Sequence, residues 1–300
     1  MNRPLRTLLA CTDFSPHATQ AVHRAARLAG AHAATLVLAH AYDAPTIVPA
    51  WGDPGGGAWV SEEQVSEGLR ERLQREGAEL ATEYGIAVQT TLLTGSVHRR
   101  LVEHADATGA DLLVVGAHGD TGLLGRLLGS TTQKILRLSH RPVLVVRTPA
   151  TSDYARVLVA TDFSEPAREA ARLAGTLCPA ARMWLLHAHE PALESRLAYA
   201  RIDPKLGERY LSLALAEAGR ALTEFNDALK EAGVVATPLL RQGHPSLLLP
   251  AAIDELDIQL LALGAQGKSL LESGLLGSVS QHAVAQSPCD VLVVPRAAGD

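Results

Sequence analysis

The chain has 300 residues, 47% of them hydrophobic and 20% charged, with a formal net charge of −5. That balance fits packed domains and excludes a disordered chain, and the acidic total argues against a nucleic-acid binder, which carries a basic footprint. Aromatic residues are only 4%, so the core must be mostly Ala, Leu and Val. Three widely spaced cysteines, Cys11, Cys178 and Cys289, form no CxxC or Cys/His metal pattern, which reads as reduced thiols in a cytoplasmic protein. No apolar run reaches the roughly 18 residues of a membrane span, and the N-terminal residues lack the apolar stretch of a signal peptide.

In chain order, residues 5–12 form a short apolar run. Ser15 is a helix cap with Pro16 at the first helical position, where a missing N–H costs nothing. Ala18, Ala21, Val22, Ala25 and Ala29 recur at helical spacing, and Gly30 is the expected stop. A strand is predicted over 34–41, an amphipathic helix over 61–84 stopped by Gly85, and a strand over 86–93. Ser96 opens a further helix. The continuous run 112–115 reads as a strand covered on both faces, followed by a helix over 129–139 and a fifth strand at 143–146. The GDPGGG stretch at 52–57 reads as a loop, with Trp51 and Trp59 flanking it.

The second half repeats this order. LLACTDFS (8–15) returns as VLVATDFS (157–164), DLLVVGAHG (111–119) as QLLALGAQG (259–267), and LLGSTTQKIL (127–136) as LLGSVSQHAV (275–284). The string ARLAG ends the first helical segment of both halves, at 26–30 and 171–175. Domains are expected at 1–149 and 153–300, joined by a short polar linker. Alternating strands and helices imply crossovers. The expected fold class is α/β: two tandem doubly wound domains of Rossmann-like type, each a five-stranded parallel sheet flanked by helices. Ligands then bind outside the carboxyl ends of the strands.

The chemistry concentrates after the fourth strand of each half. Gly116 and Gly119 are followed, after nine residues, by Gly129-Ser130; Gly264 and Gly267 are followed, at the same spacing, by Gly277-Ser278. Glycines after a buried strand let backbone approach a ligand. A Gly-Ser helix start offers free amides and a hydroxyl to phosphate, with Thr131 and Thr132, or Val279 and Ser280, extending the donors. Arg126 and Lys268 are basic groups that can meet phosphates. Gly267-Lys268-Ser269 is no P-loop, because the glycine required five residues before Gly267 is Ala262. Neither HExxH nor a His/Asp metal spacing is visible, and His40 and His187 read as satisfied sheet-end histidines.

The G-x2-G-x9-G-[ST] pattern, in two copies over almost the whole chain, resembles the ATP-binding signature of the universal stress protein family, as do the TDFS segments at 12–15 and 161–164. The resemblance implies a tandem protein with nucleotide sites at corresponding positions. Thr12 and Asp13, or Thr161 and Asp162, would lie at the base, as would backbone at Ala41 or Ala188. Val115 or Leu263 would line the pocket. Gly116 and Gly119, or Gly264 and Gly267, would sit near ribose and phosphates. Gly129 to Thr132, or Gly277 to Ser280, would bind phosphate oxygens. It implies ATP with Mg²⁺ on the phosphates, a regulatory stress-response role without a catalytic residue, and an unknown protein partner. It also implies pairing of strand 143–146 with 291–294 as an internal pseudo-dimer, with a homodimer also open. Two alternatives stand beside it: slow ATP hydrolysis or autophosphorylation at Ser130 or Ser278, for which no positioned base is evident, and a nucleotide-free scaffold.

Overall fold

The computed structural model describes residues 4–43, 61–118, 128–190, 204–267 and 276–296. The first half runs β1 (Thr7–Cys11), α1 (Pro16–His32), β2 (Thr35–Tyr42), α2 (Glu62–Tyr84), β3 (Val88–Thr94), α3 (Val97–Ala107), β4 (Leu112–Gly116), α4 (Ser130–Leu138) and β5 (Val143–Val146). The second runs β6 (Arg156–Ala160), α5 (Glu165–Leu177), β7 (Arg182–His189), α6 (Pro204–Glu231), β8 (Thr237–Gln242), α7 (Pro245–Glu255), β9 (Leu260–Gly264), α8 (Ser278–Gln286) and β10 (Asp290–Val294). Strands within each half are parallel, in the orders β3-β2-β1-β4-β5 and β8-β7-β6-β9-β10. These are the two doubly wound units that the alternation predicted. Trp51, Trp59, the loop at 52–57, Gly119, Arg126 and Lys268 lie outside the described residues.

The strands carry unbroken apolar runs because both sheet faces are covered. On one face Leu8, Ala10, Leu112 and Val114 pack with Ala21, Val22 and Ala25 of α1 and with Leu73 and Leu80 of α2. On the other, Leu9, Leu113 and Val115 pack with Leu101 and Val102 of α3 and with Ile135 of α4. Each leucine side chain taken fully from water contributes about 1.5–3 kcal/mol. The alanine-rich inner face of α1 lets that helix sit close to the sheet, which matters for the site below.

Three local details differ from, or explain, the sequence reading. Helix α1 passes through Gly30 and ends at Ala33, whose φ of 50° makes it a left-handed cap. The ARLAG strings are a false register. Capping serines Ser15 and Ser164, and the buried pairs Ala18/Ala167, Ala21/Ala170, Val22/Ala171 and Ala25/Ala174, all match at an offset of 149. The strings match at 145, one helical turn out. The Asp111/Gln259 difference is structural: Asp111 Oδ2 accepts the amides of Arg6 and Thr7, and Gln259 Oε1 accepts those of Ala155 and Arg156. An amide oxygen does there what a carboxylate does in the other half.

The halves meet at β5 and β10, which pair antiparallel with Val143 opposite Val293 and Val145 opposite Val291, closing one ten-stranded sheet. Asp290 opens β10 and is fully buried. Its Oδ1 accepts from the amides of Arg147 (2.8 Å) and Thr148 (2.9 Å) and from the Thr148 hydroxyl (2.9 Å), and its Oδ2 accepts from the Tyr154 hydroxyl. Arg24 of α1 completes the cluster: its Nε lies 3.4 Å from Asp290 and its guanidinium 4.2 Å from the Tyr154 ring, while it donates to the carbonyls of Ser152 and Pro149. The linker is therefore pinned between the halves by a charge that only good pairing makes tolerable.

Candidate functional site

In each half the chain order reverses between β1 and β4, or β6 and β9, which opens a crevice at their carboxyl ends. The TDFS segments shape its floor by turning on their own side chains. Thr12 Oγ1 accepts the Phe14 amide (3.0 Å), Asp13 Oδ1 the Ser15 amide (3.0 Å), and Ser15 Oγ the Ala18 amide (3.2 Å). Thr161, Asp162 and Ser164 repeat all three bonds. Such side-chain turns tolerate left-handed backbone, and Phe14 and Phe163 adopt it, at φ 63° and 65°. A bulky residue held there in both copies is the kind of local strain that clusters at binding sites.

The end of β2 is left open toward this crevice. The Thr12 amide donates to Ala39 O, and the Gly95 amide to Tyr42 O on the β3 side. Alternate residues of a parallel strand face opposite neighbours, so the Ala41 peptide groups face the β1 side, beyond the end of β1. His40 Nδ1 donates to Thr12 O at 2.7 Å, and His187 Nδ1 to Thr161 O at 2.8 Å, as expected for satisfied histidines. The same alternation holds around Ala188, since Thr161 N donates to Leu186 O and Gly243 N to His189 O. Each half thus presents a peptide edge with a donor and an acceptor beside a small residue.

Opposite lies the start of α4 or α8. The cap residue is Gly129 or Gly277, which has no side chain to satisfy the first-turn amides. The first helical bonds run from Gln133 N to Gly129 O and from Gln281 N to Gly277 O. The amides of Ser130, Thr131 and Thr132, and of Ser278, Val279 and Ser280, therefore have no acceptor within their helix. The exposed hydroxyls of Ser130 and Ser278 sit among them. Such a helix start is an anion site by geometry and dipole.

Two donors expected from the sequence are spent on the fold. Gly129 N donates to Ala117 O and Gly277 N to Ala265 O, both at 2.8 Å. The Thr132 hydroxyl donates to Gly116 O (2.8 Å) and the Ser280 hydroxyl to Gly264 O (2.7 Å). These bonds fix the helix start to the end of the preceding strand. The role expected of Gly116 and Gly264 also needs correction. Neither has positive φ. A Cβ on Gly116 would meet His17 O at 2.9 Å, and one on Gly264 would meet Pro166 Cβ at 2.7 Å. These glycines let α1 and α5 dock on the sheet, rather than clearing space for a ligand. Gly267 does face the crevice, where a Cβ would lie 2.7 Å from Asp162 Oδ2.

The crevices are cavities of about 260 Å³ in the first half and about 220 Å³ in the second. Thr12, Asp13, Ala41, Val115, Gly116, Gly129, Ser130, Thr131 and Thr132 line the first; Gly119 lies outside the described residues. Thr161, Asp162, Ala188, Leu263, Gly264, Gly267, Gly277, Ser278, Val279 and Ser280 line the second. Sequence reasoning missed the apolar walls: Ala18, Val97, Leu101 and Ile135 in one, Ala167, Leu186 and Leu249 in the other. Helical periodicity, or for Leu186 its place in the apolar run of β7, marks them only as core. Cys11 lines the first pocket where Ala160 lines the second, and burial pushes its thiol well above the usual range. Among the described residues no group of three or more His, Cys, Asp or Glu is gathered for a metal, and no helix is long and apolar enough to cross a membrane.

A family model described as the universal stress protein family matches residues 4–147 and again 153–295. A universal stress protein of Mycolicibacterium smegmatis is 29% identical over 310 aligned residues, covering 96% of this chain and 97% of the relative. One from Methanocaldococcus jannaschii is 34% identical over 141 residues, covering 46% of this chain and 79% of the relative. The crystal structure of a universal stress protein from Archaeoglobus fulgidus shares the fold, with a TM-score of 0.69 at 18% identity over 97% of this chain and 98% of that one.

Proposed function

The chain belongs to the universal stress protein family, as two copies of its domain in tandem, and from that premise we propose that each half binds ATP and that occupancy regulates the surface the protein offers to a partner. The observation that carries the reading is the pair of uncapped helix starts. In each half three first-turn amides and a serine hydroxyl face a crevice whose other wall is an apolar slot ending in a peptide edge. The amides suit phosphate oxygens, the slot suits a flat base, and the peptide edge at Ala41 or Ala188 suits the hydrogen-bonding rim of adenine. Mg²⁺ then rides on the triphosphate, neutralising charge that the amides alone would leave.

Proline substitution at the first helical position tests this directly. Ser130 and Ser278 occupy that position, and the preceding glycines are extended, with ψ of 144° and 152°, as a residue before proline requires. Ser130→Pro or Ser278→Pro removes one amide and one hydroxyl from the crevice while the helix start remains tolerated. A hydrogen bond to a charged group is worth about 1.5–3 kcal/mol, so ATP affinity in the altered half should fall about ten- to hundredfold with the melting temperature kept. Calorimetric titration of each variant and of the double variant measures it. Unchanged affinity in the double variant, with no adenine nucleotide carried through purification of the unaltered chain, would sink the reading.

A further inference from the structure

We propose that β3, the outer strand of the first half, pairs edge to edge with β3 of a second copy of this chain. The outer strands of the sheet are β3 and β8, because β5 and β10 are joined to each other. At β3 the Gly95 amide donates to Tyr42 O, and the Leu36 amide donates to Ala87 O. Alternate peptide groups of a strand face opposite neighbours, so those of Val88, Thr90, Leu92 and Thr94 face away from β2. Among the described residues no hydrogen bond occupies their amides. Each offers a donor and an acceptor, the template on which a further strand adds.

The second half closes the same edge. Gly243 N donates to His189 O, so Pro238, Leu240 and Gln242 face away from β7. Pro238 sits opposite Leu185 and Thr90 opposite Leu38, each five residues before the glycine that ends its strand. The proline therefore removes an outward donor, the one placement a sheet tolerates. Strand β8 also carries Arg241, held 2.6 Å from Glu255 of α7. Proline and charge are devices that keep an outer strand from pairing. Strand β3, VQTTLLT, has neither.

The faces of β3 are already covered. A Cβ on Gly77 of α2 would lie 2.7 Å from Thr90 Cγ2. Val88 packs into the core on that face and Leu93 into the core on the other. What remains is the edge, which fits an extended strand. The occupant that matches it is β3 itself. A two-fold axis through Thr91 sets Thr91 against Thr91, Thr90 against Leu92 and Val88 against Thr94. Outward donors then meet outward acceptors and no like charges meet. Such a contact is self-complementary and closes as a dimer. The chain already extends its sheet in this way, since β5 and β10 are corresponding edges of the two halves, paired antiparallel. A charged peptide would find no counter-charge along VQTTLLT.

Sedimentation equilibrium of the full chain from about 1 μM to about 1 mM measures the association. The mass should rise from one chain toward two and stop there. Hydrogen exchange at the amides of Val88, Thr90 and Leu92 should slow as concentration rises, while that of Leu240 and Gln242 stays constant. Thr90→Pro installs the residue that the other half carries at this place and should weaken association at least about tenfold. Thr91→Lys keeps every amide and sets like charges against each other across the axis, so it should weaken association as much. It also decides the matter if a thermal melt shows that the proline variant does not fold. A chain that stays single over the whole range, including one whose edge takes an extended segment of another protein instead, overturns the inference. A dimer that survives either variant in folded form overturns it too. Neither result bears on ATP binding.

Discussion

Replacing Gly116 by alanine should loosen the fold rather than block a ligand. The new Cβ would lie 2.9 Å from His17 O, 3.0 Å from His17 C and 3.2 Å from Ala18 N. All three are main-chain atoms in the first turn of α1 and cannot swing aside as a side-chain tip can. Restoring ordinary contact at 3.4 Å means moving that turn by about 0.5 Å, against a helix held down by buried Ala18, Ala21, Val22 and Ala25. Overpacking of this kind costs about 1–3 kcal/mol. Gly264→Ala should cost at least as much, since its Cβ would lie 2.7 Å from Pro166 Cβ and 3.0 Å from Pro166 C. Urea unfolding and thermal melts read the effect, at roughly 2–4 °C per kcal/mol for a unit of about 150–250 residues. Gly68→Ala is the control: it lies within α2 with nothing inside 4 Å of the added carbon, and should be neutral or stabilise by about 0.5–1 kcal/mol. If Gly116→Ala unfolds within about 0.5 kcal/mol of the unaltered chain yet no longer binds ATP, the glycine serves ligand approach and the packing argument is wrong.

Two further outcomes follow from buried groups. Asp290→Ala strips the partner from Arg24 and from four donors at Arg147, Thr148 and Tyr154, so stability should drop by about 3–5 kcal/mol and limited proteolysis should cut between 147 and 154; a protein as stable and as resistant as before would contradict the pinned linker. Burial pushes the Cys178 thiol up to about 12 and the Cys289 thiol up to about 11, which leaves only about one thiolate in a thousand at Cys289 near pH 8. Iodoacetamide should therefore label neither until the chain is unfolded, and stoichiometric labelling of the native protein would refute the burial argument.

Much of the fold is written in local patterns. Apolar runs at 112–115 and 143–146, the Ser15 cap with Pro16, and the Gly85 stop all carry their structural meaning within a few residues. The duplication added register, which made the site positions legible. What failed was anything decided by a partner distant in sequence. Gly30 looks like a helix stop, yet α1 runs on to His32, and the ARLAG strings match in letters while the helices align a turn apart. The glycine pattern lies along the crevice in both halves, but the packing of its parts was not legible. Whether Gly129 N points at a phosphate or at Ala117 O depends on how the loop closes, and whether Gly116 faces a ligand or α1 depends on helix docking. Asp290 gave no signal, because its donors come from 24 and from 147 to 154.

The antiparallel meeting of β5 with β10 points the carboxyl ends of the two sets of strands in opposite directions. Because one chain supplies both edges, dilution cannot separate them, and the association survives at any concentration at which the protein is folded. The two crevices consequently open at opposite rims of a single slab. A partner small enough to sit on one rim meets one crevice only, and anything that touches both must reach around the molecule, since only the shared sheet joins them.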